Sequence, residues 1–134
     1  MPSAADNKAL VEQVYDAFFT GDLDRWFSYI DDRSALIEAE SLPYGGAHRG
    51  TAAIRAAIDQ ILECWEDGRF DIEEIYASDM SAAAYGTMHW TARATGRRIS
   101  FPLLERWTFE GGKVREVVPL YGDTALVLDA LGID

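Results

Sequence analysis

An α+β fold, with helices covering one face of an antiparallel sheet, is predicted by the order in which two hydrophobic periods occur along the chain. In the first half apolar residues recur at helical spacing, as in Leu10, Val14 and Phe18. In the second half they alternate at the strand period, as in Phe101, Leu103, Trp107 and Phe109. Turn residues at Ser78-Asp79, Thr95-Gly96-Arg97 and Gly111-Gly112 divide that half into consecutive hairpins, so helices precede a meander instead of alternating with strands. A chain of 134 residues can bury a core without staples, and one domain spanning residues 1–134 is expected, with no internal repeat.

Each element has a local reason. Ser3 and Asp6 offer N-cap chemistry for a first helix that runs to Thr20-Gly21. Asp22 can cap a short second helix whose apolar side is Trp26, Phe27 and Ile30, ended by Asp31-Asp32-Arg33. Residues Ala35 to Glu40 read as a strand. The segment Ser41 to Gly50 is so rich in turn residues that it is expected to be a loop, followed by a helix capped by Thr51 with Ile54, Ile58, Ile61 and Trp65 along one face. Beyond a break at Asp67-Gly68, strands are expected over Arg69 to Ala77, Ser81 to Ala94, Ile99 to Phe109 and Val114 to Tyr121. A helix from Thr124 to Leu131 closes the chain, and Asp123 is placed to cap it.

Charge and cysteine content narrow the function. Twelve basic against 23 acidic residues give a net charge of −11, which repels phosphate backbones and anionic lipid, so neither nucleic acid nor a membrane is an expected partner. The lone Cys64 cannot form an intramolecular disulfide, and with two histidines a structural zinc site is not expected. No metal and no cofactor are expected. With no secretory signal or apolar span in the sequence, a cytoplasmic location is expected.

One residue breaks the pattern of the meander. Glu105 shares a face with Phe101, Leu103, Trp107 and Phe109. A carboxyl among aromatic groups is held partly neutral by desolvation, which suits a proton donor or shuttle; the alternative is an ion-paired or edge-exposed glutamate. On the preceding strand Met88 and Trp90 share the parity that better lines an apolar cavity, whereas His89 faces the other side of the sheet and reads as structural or as part of a subunit contact. On the last strand Val117, Pro119 and Tyr121 share a face, Pro119 fits a bulge or an edge, and Tyr121 can point its hydroxyl inward.

The element order, together with Gly21-Asp-Leu-Asp24, Arg49-Gly50, the run Glu105-Arg-Trp-Thr-Phe-Glu-Gly-Gly-Lys-Val114 and Tyr121-Gly-Asp123, resembles the nuclear transport factor 2-like superfamily, nearest its SnoaL-like and ketosteroid isomerase-like branch. The resemblance implies a cone-shaped, curved, mostly antiparallel sheet with the N-terminal helices on its concave face around a pocket, usually in a homodimer. Its members range from isomerases, cyclases, dehydratases and epoxide hydrolases to proteins without catalysis, so the fold does not fix the function.

Position by position, the resemblance puts Glu38 where ketosteroid isomerases carry the proton-shuttling carboxylate. It puts Glu105 where they carry the protonated acid that donates to the developing oxyanion. The tyrosine of that site falls on Val14, with Tyr15 about 100° further around the helix, a departure that argues against a true steroid isomerase. The region Val117 to Tyr121 also lacks the acid that cyclases and limonene epoxide hydrolases place there. On the strand itself Glu38 and Glu40 share a face, and either could be the base; in the alternative both are in solvent and Ile37 is in the core. Expected pocket residues are Trp107, Trp90, Met88, Tyr121, Leu103, Phe18 and Trp26, with Tyr44 as a lid or wall, while His48 and Arg49 lie near the mouth. Two functions follow. One is a cofactor-free acid–base enzyme acting on a small hydrophobic carbonyl compound, with Glu105 as donor and Glu38 or Glu40 as base. The other is a non-catalytic ligand-binding or dimerisation module.

Overall fold

The computed structural model describes residues 2–133, so Met1 and Asp134 of the expected 1–134 domain lie outside it. Helix α1 (Ala4–Phe19) begins at Ser3, whose hydroxyl accepts the Asp6 amide at 3.1 Å while the Asp6 carboxylate accepts the Ser3 amide at 3.0 Å. This reciprocal cap satisfies two amides that the first turn would otherwise leave unpaired. Helix α2 (Leu23–Phe27) is capped by Asp22, and helix α4 (Thr124–Ala130) by Asp123 through the amide of Leu126.

Between them six strands form one curved, unclosed sheet in the order β2-β1-β6-β5-β4-β3. They are β1 (Ala35–Glu38), β2 (Gly46–Arg49), β3 (Trp65–Ala77), β4 (Ser81–Ala92), β5 (Arg98–Glu110) and β6 (Lys113–Tyr121). All neighbours pair antiparallel except β1 with β6, which run parallel through Ala35–Glu116 and Leu36–Val117. Register shifts at Glu66/Arg69, Ile72/Glu74 and Thr108/Phe109 interrupt the ladders, and such bulges bend and twist the strands that carry them. Helix α1 packs on β3 and β4, and α3 (Thr51–Cys64) on β2 and β3. The core between helices and sheet includes Val11, Val14, Ile54, Trp65, Phe101 and Val114.

Several expectations need correction. Gly46–Arg49 is a strand and not a loop: paired with β1 from Ala35–Arg49 to Glu38–Gly46, it owes its extension to the partner and not to β-branched or alternating side chains. Strand β1 stops at Glu38, because the amide of Leu42 turns back to the Ala39 carbonyl at 3.1 Å. Thr51 is the first helical residue of α3, and Gly50, at φ +87°, occupies the cap without a side-chain hydrogen bond. Trp65 leaves that helix and begins β3. Asp67-Gly68 is therefore a bulge within a 13-residue strand, with Asp67 at φ +55°. A Cβ on Gly68 would lie 2.4 Å from the Trp90 ring, so the glycine is what lets that indole close over the bulge. Strand β4 ends at Ala92, two residues earlier than expected, and α4 ends at Ala130. Pro119 lies beyond the short β1–β6 pairing, where β6 is an edge and its missing N–H breaks no ladder. No helix among the described residues is long and apolar enough to cross a membrane.

Candidate active site

The sheet and the helices enclose a cavity of about 80 Å³, several times the roughly 10–15 Å³ that one ordered water needs. Met88 and Trp90 from β4, Leu103 and Trp107 from β5, Tyr121 from β6, Phe18 from α1 and Trp26 from α2 all face it. Glu38 and Glu105 face it too, and no lysine, arginine or histidine among the described residues does.

Glu105 reaches the cavity from the middle of β5. Its neighbours across the sheet are Ala84 on β4 and Pro119 on β6, which are small and have no side-chain donor to offer. Glu105 is half-buried and lines the cavity. Burial pushes its carboxyl up to about 7, against a counter-pull from the Tyr15 hydroxyl, which donates to Oε1 at 2.7 Å. Tyr15 is itself held in place by the Trp107 indole, which donates to its oxygen at 3.0 Å. Burial, and next the nearby Glu105 charge, raise the Tyr15 hydroxyl well above its ordinary value, so it serves as a proton donor in a hydrogen bond and not as an ionised group.

Glu38 enters from the end of β1. Leu36 sits beside Val117 in the parallel pair, and Glu38, two residues on and on the same face, runs toward Tyr121. Only 5% of Glu38 is exposed, and its Oε1 has no hydrogen-bond partner. Burial raises its carboxyl well above the usual range, and repulsion from Glu105 raises it further. The Tyr121 hydroxyl is a partial counterweight, although its close partner is the Tyr44 hydroxyl at 3.0 Å. The Tyr44 oxygen in turn accepts the Trp65 indole N–H at 3.1 Å.

Three expectations about this site are overturned. Glu40 is exposed in the turn after β1 and does not reach the cavity, because the strand ends before its alternation could place Glu40 beside Glu38. Tyr44 is fully buried but does not line the cavity; it stands behind Tyr121 as a support. Tyr15, which ungapped counting passes over in favour of Val14, meets Glu105 directly, while Val14 lies in the core. The hydrophobic signal for this was present: Val11, Tyr15 and Phe19 are four residues apart and share a helix face. His48 is bound to the Tyr44 carbonyl and Arg49 is exposed; neither lines the cavity. His89 faces away from it.

The profile of the SnoaL-like domain matches residues 11–117 of this chain. The chain belongs to the SnoaL-like domain family. No curated protein sequence matches it significantly. Among solved structures, an NTF2-like protein of unknown function from Burkholderia pseudomallei K96243 is 23% identical, with 93% of this chain and 96% of that one covered, at a TM-score of 0.86. TerC, co-crystallised with polyporic acid, is 17% identical, with 94% and 98% covered and a TM-score of 0.84. A candidate isomerase from Rhodopseudomonas palustris is 24% identical, with 92% and 93% covered and a TM-score of 0.76. At these identities the likeness establishes the NTF2-like cone fold alone. Family membership supports an enzyme-like or ligand-binding role without selecting an activity.

Proposed function

We propose that this SnoaL-like domain is a cofactor-free acid–base enzyme that moves a proton next to the carbonyl of a small hydrophobic molecule, as in isomerisation, cyclisation or dehydration. The observation that carries this is the placing of two carboxyls, Glu38 and Glu105, in one aromatic-lined cavity with no cationic side chain among the lining residues. Desolvation raises both carboxyls, and the Glu105 charge raises Glu38 further, so the two do not ionise together. One stays neutral while the other becomes a carboxylate, which is the division of labour that proton abstraction and return require. The apolar walls select a hydrophobic substrate, and an isomerase-named neighbour and a neighbour crystallised with polyporic acid fit a role of this kind.

The test is deuterium incorporation from heavy water into a panel of small cyclic enones and aromatic ketones, followed by NMR. Wild-type protein is expected to exchange a proton next to the carbonyl of at least one member. Glu105→Gln is expected to lower that rate by about 10²–10⁴-fold, the usual contribution of a positioned acid–base group. An exchange rate left intact in Glu105→Gln would overturn the reading. Binding that persists in that variant, with no exchange in the wild type, would make the domain a ligand carrier.

A further inference from the structure

We infer that the pocket is polarised: Glu38 and Tyr121 receive the carbonyl oxygen, Glu105 is the base, and Trp65 and Tyr44 are positioning residues that turn the Tyr121 hydroxyl into the cavity. This rests on the acid–base reading above. It gives the two carboxyls the reverse of the roles that the family resemblance implies.

An indole N–H can only donate, so Trp65 fixes the Tyr44 oxygen as an acceptor and Trp107 does the same for Tyr15. From there the two chains differ. The Tyr15 proton is committed to Glu105 Oε1 at 2.7 Å. The Tyr44 proton has one acceptor within reach, the Tyr121 oxygen at 3.0 Å. Were Tyr121 to donate to Tyr44 instead, the Tyr44 proton would be left without an acceptor in a side chain that is 1% exposed, a buried unsatisfied donor that folded proteins avoid. The satisfied arrangement is Trp65 to Tyr44 to Tyr121, and the Tyr121 proton is then turned toward the end of the cavity that Glu38 also lines.

The carboxyls divide in the same sense. Glu105 receives a close hydroxyl donor, which stabilises its charged form; Glu38 Oε1 receives none and is buried, and the Tyr121 hydroxyl offsets that burial only in part. As an acid, Glu38 has an O–H to give. Two donors, the Glu38 carboxyl and the Tyr121 hydroxyl, thus share one end of the cavity, and such a pair suits an oxygen on which charge develops. The ionisable groups facing the cavity are Tyr15 from α1, Glu38 from β1, Glu105 from β5 and Tyr121 from β6; α2, α3, β3 and β4 contribute only apolar or aromatic side chains. In the step this implies, the Glu105 carboxylate takes a proton from the carbon next to the carbonyl. The C–H electron pair moves into an enolate whose oxygen is held by Glu38 and Tyr121. Glu105 then returns the proton to carbon, leaving the protein unchanged and using no co-reactant.

Two measurements decide it. With ¹³C-carboxyl-labelled glutamate, Glu105→Gln and Glu38→Gln assign the two buried signals, and wild-type protein is titrated. The Glu105 signal is expected to ionise near pH 7 while Glu38 stays in its acid form; Glu38 ionising first would overturn the inference. In the second, 2-cyclohexenone labelled at its carbonyl carbon is the infrared probe. Its carbonyl band is expected to shift to lower frequency on binding and to lose that shift in Tyr121→Phe and Glu38→Gln, but not in Tyr15→Phe. Tyr44→Phe, which leaves the cavity wall in place, should reduce the shift without changing probe affinity, a split that a merely structural residue would not produce. A shift that depends on Tyr15 and not on Tyr121 would reverse the polarity and sink the inference. Should the probe not bind, the order in which the two carboxyls of the wild-type protein ionise upholds or overturns the inference by itself. Correct polarity without deuterium exchange in any ketone would fail the enzyme reading only, and exchange with reversed polarity would fail this inference only.

Discussion

Two clusters on opposite faces of one sheet differ in a way that residue types alone conceal. On the face away from the cavity, His89 contacts Asp71 at 2.8 Å through Nε2 and Ser100 at 2.7 Å through Nδ1, an inventory that reads like a hydrolytic triad. The cavity is lined by two glutamates and two tyrosines, with no histidine, serine or cysteine among the described residues that line it. Yet the Asp71 side chain is 54% exposed and pairs with Arg69 as well, and Ser100 is exposed. Asp71 is lowered chiefly by its hydrogen bonds from Arg69, so its charge is stabilised and its basicity reduced. None of the three faces the cavity, where a substrate could be held away from water. The pocket glutamates have the opposite circumstances, few partners and little water, and their protons are correspondingly easy to place at neutral pH. What sets the pocket carboxyls apart is burial with little compensation, and alternation along β4 separates the two regimes by a single residue, His89 lying between Met88 and Trp90.

The largest effect that could break this contrast is catalytic. If the cavity is the reactive side, Glu105→Gln lowers deuterium exchange by about 10²–10⁴-fold, whereas His89→Ala and Ser100→Ala leave the rate near that of the wild type. Equal losses on both faces would show that His89 acts on substrate or that the sheet transmits its removal to the cavity.

A second, smaller effect concerns the bulge that turns β3 past the cavity. Gly68→Ala would drive a methyl group into the Trp90 ring, which stacks on Trp65 with centroids 6.1 Å apart. Overpacking of this kind costs about 1–3 kcal/mol. Urea unfolding should register that loss. Ala substitution at Ser100, on the exposed face, should leave the midpoint unchanged.

Sequence reading reaches the parts of this molecule that rest on local rules. The capping box at Ser3 and Asp6, the caps at Asp22 and Asp123, and the inward parity of Glu105 and Trp90 follow from spacing and side-chain chemistry within a few residues. What it misses depends on partners distant in sequence. Gly46–Arg49 becomes a strand only beside β1, and Glu40 is excluded only because β1 ends early. Tyr15 is missed through a one-residue offset: counting ungapped selects Val14, whereas the helix, seated by its whole apolar face, turns the next residue toward Glu105. Tyr44 falls in the right neighbourhood and the wrong layer, since no sequence pattern states that Tyr121 stands between it and the cavity.

The finest test of the contrast is the sign of each region's pH dependence. Glu105 is raised from 4.5 to about 7 in the folded protein, so over that interval the folded chain holds a proton that the unfolded chain has released. Its contribution to stability is complete below pH 4.5 and is lost as the pH rises through 7; Glu38 is shifted in the same direction and adds to the loss. Gln at position 105 cannot titrate, so Glu105→Gln should gain stability relative to the wild type as the pH rises from 4.5 to 7, and the gain should level off above that. Asp71 moves the other way. Its folded value lies below 3.8, so whatever it contributes is present above that pH and disappears as the pH falls below it, and Asp71→Asn should therefore lag the wild type at neutral pH and converge with it in acid. Because Asp71 is in solvent, its effect should fade as ionic strength rises from about 0.01 to 1 M and the screening length falls from about 30 to 3 Å. The Glu105 effect, which is desolvation and not long-range attraction, should survive that change. Urea midpoints for both variants across the two pH intervals, at low and high salt, provide the measurement. A flat difference for Glu105→Gln between pH 4.5 and 7 would mean that water reaches its carboxyl as freely as it reaches Asp71, and the distinction between the two faces would be lost.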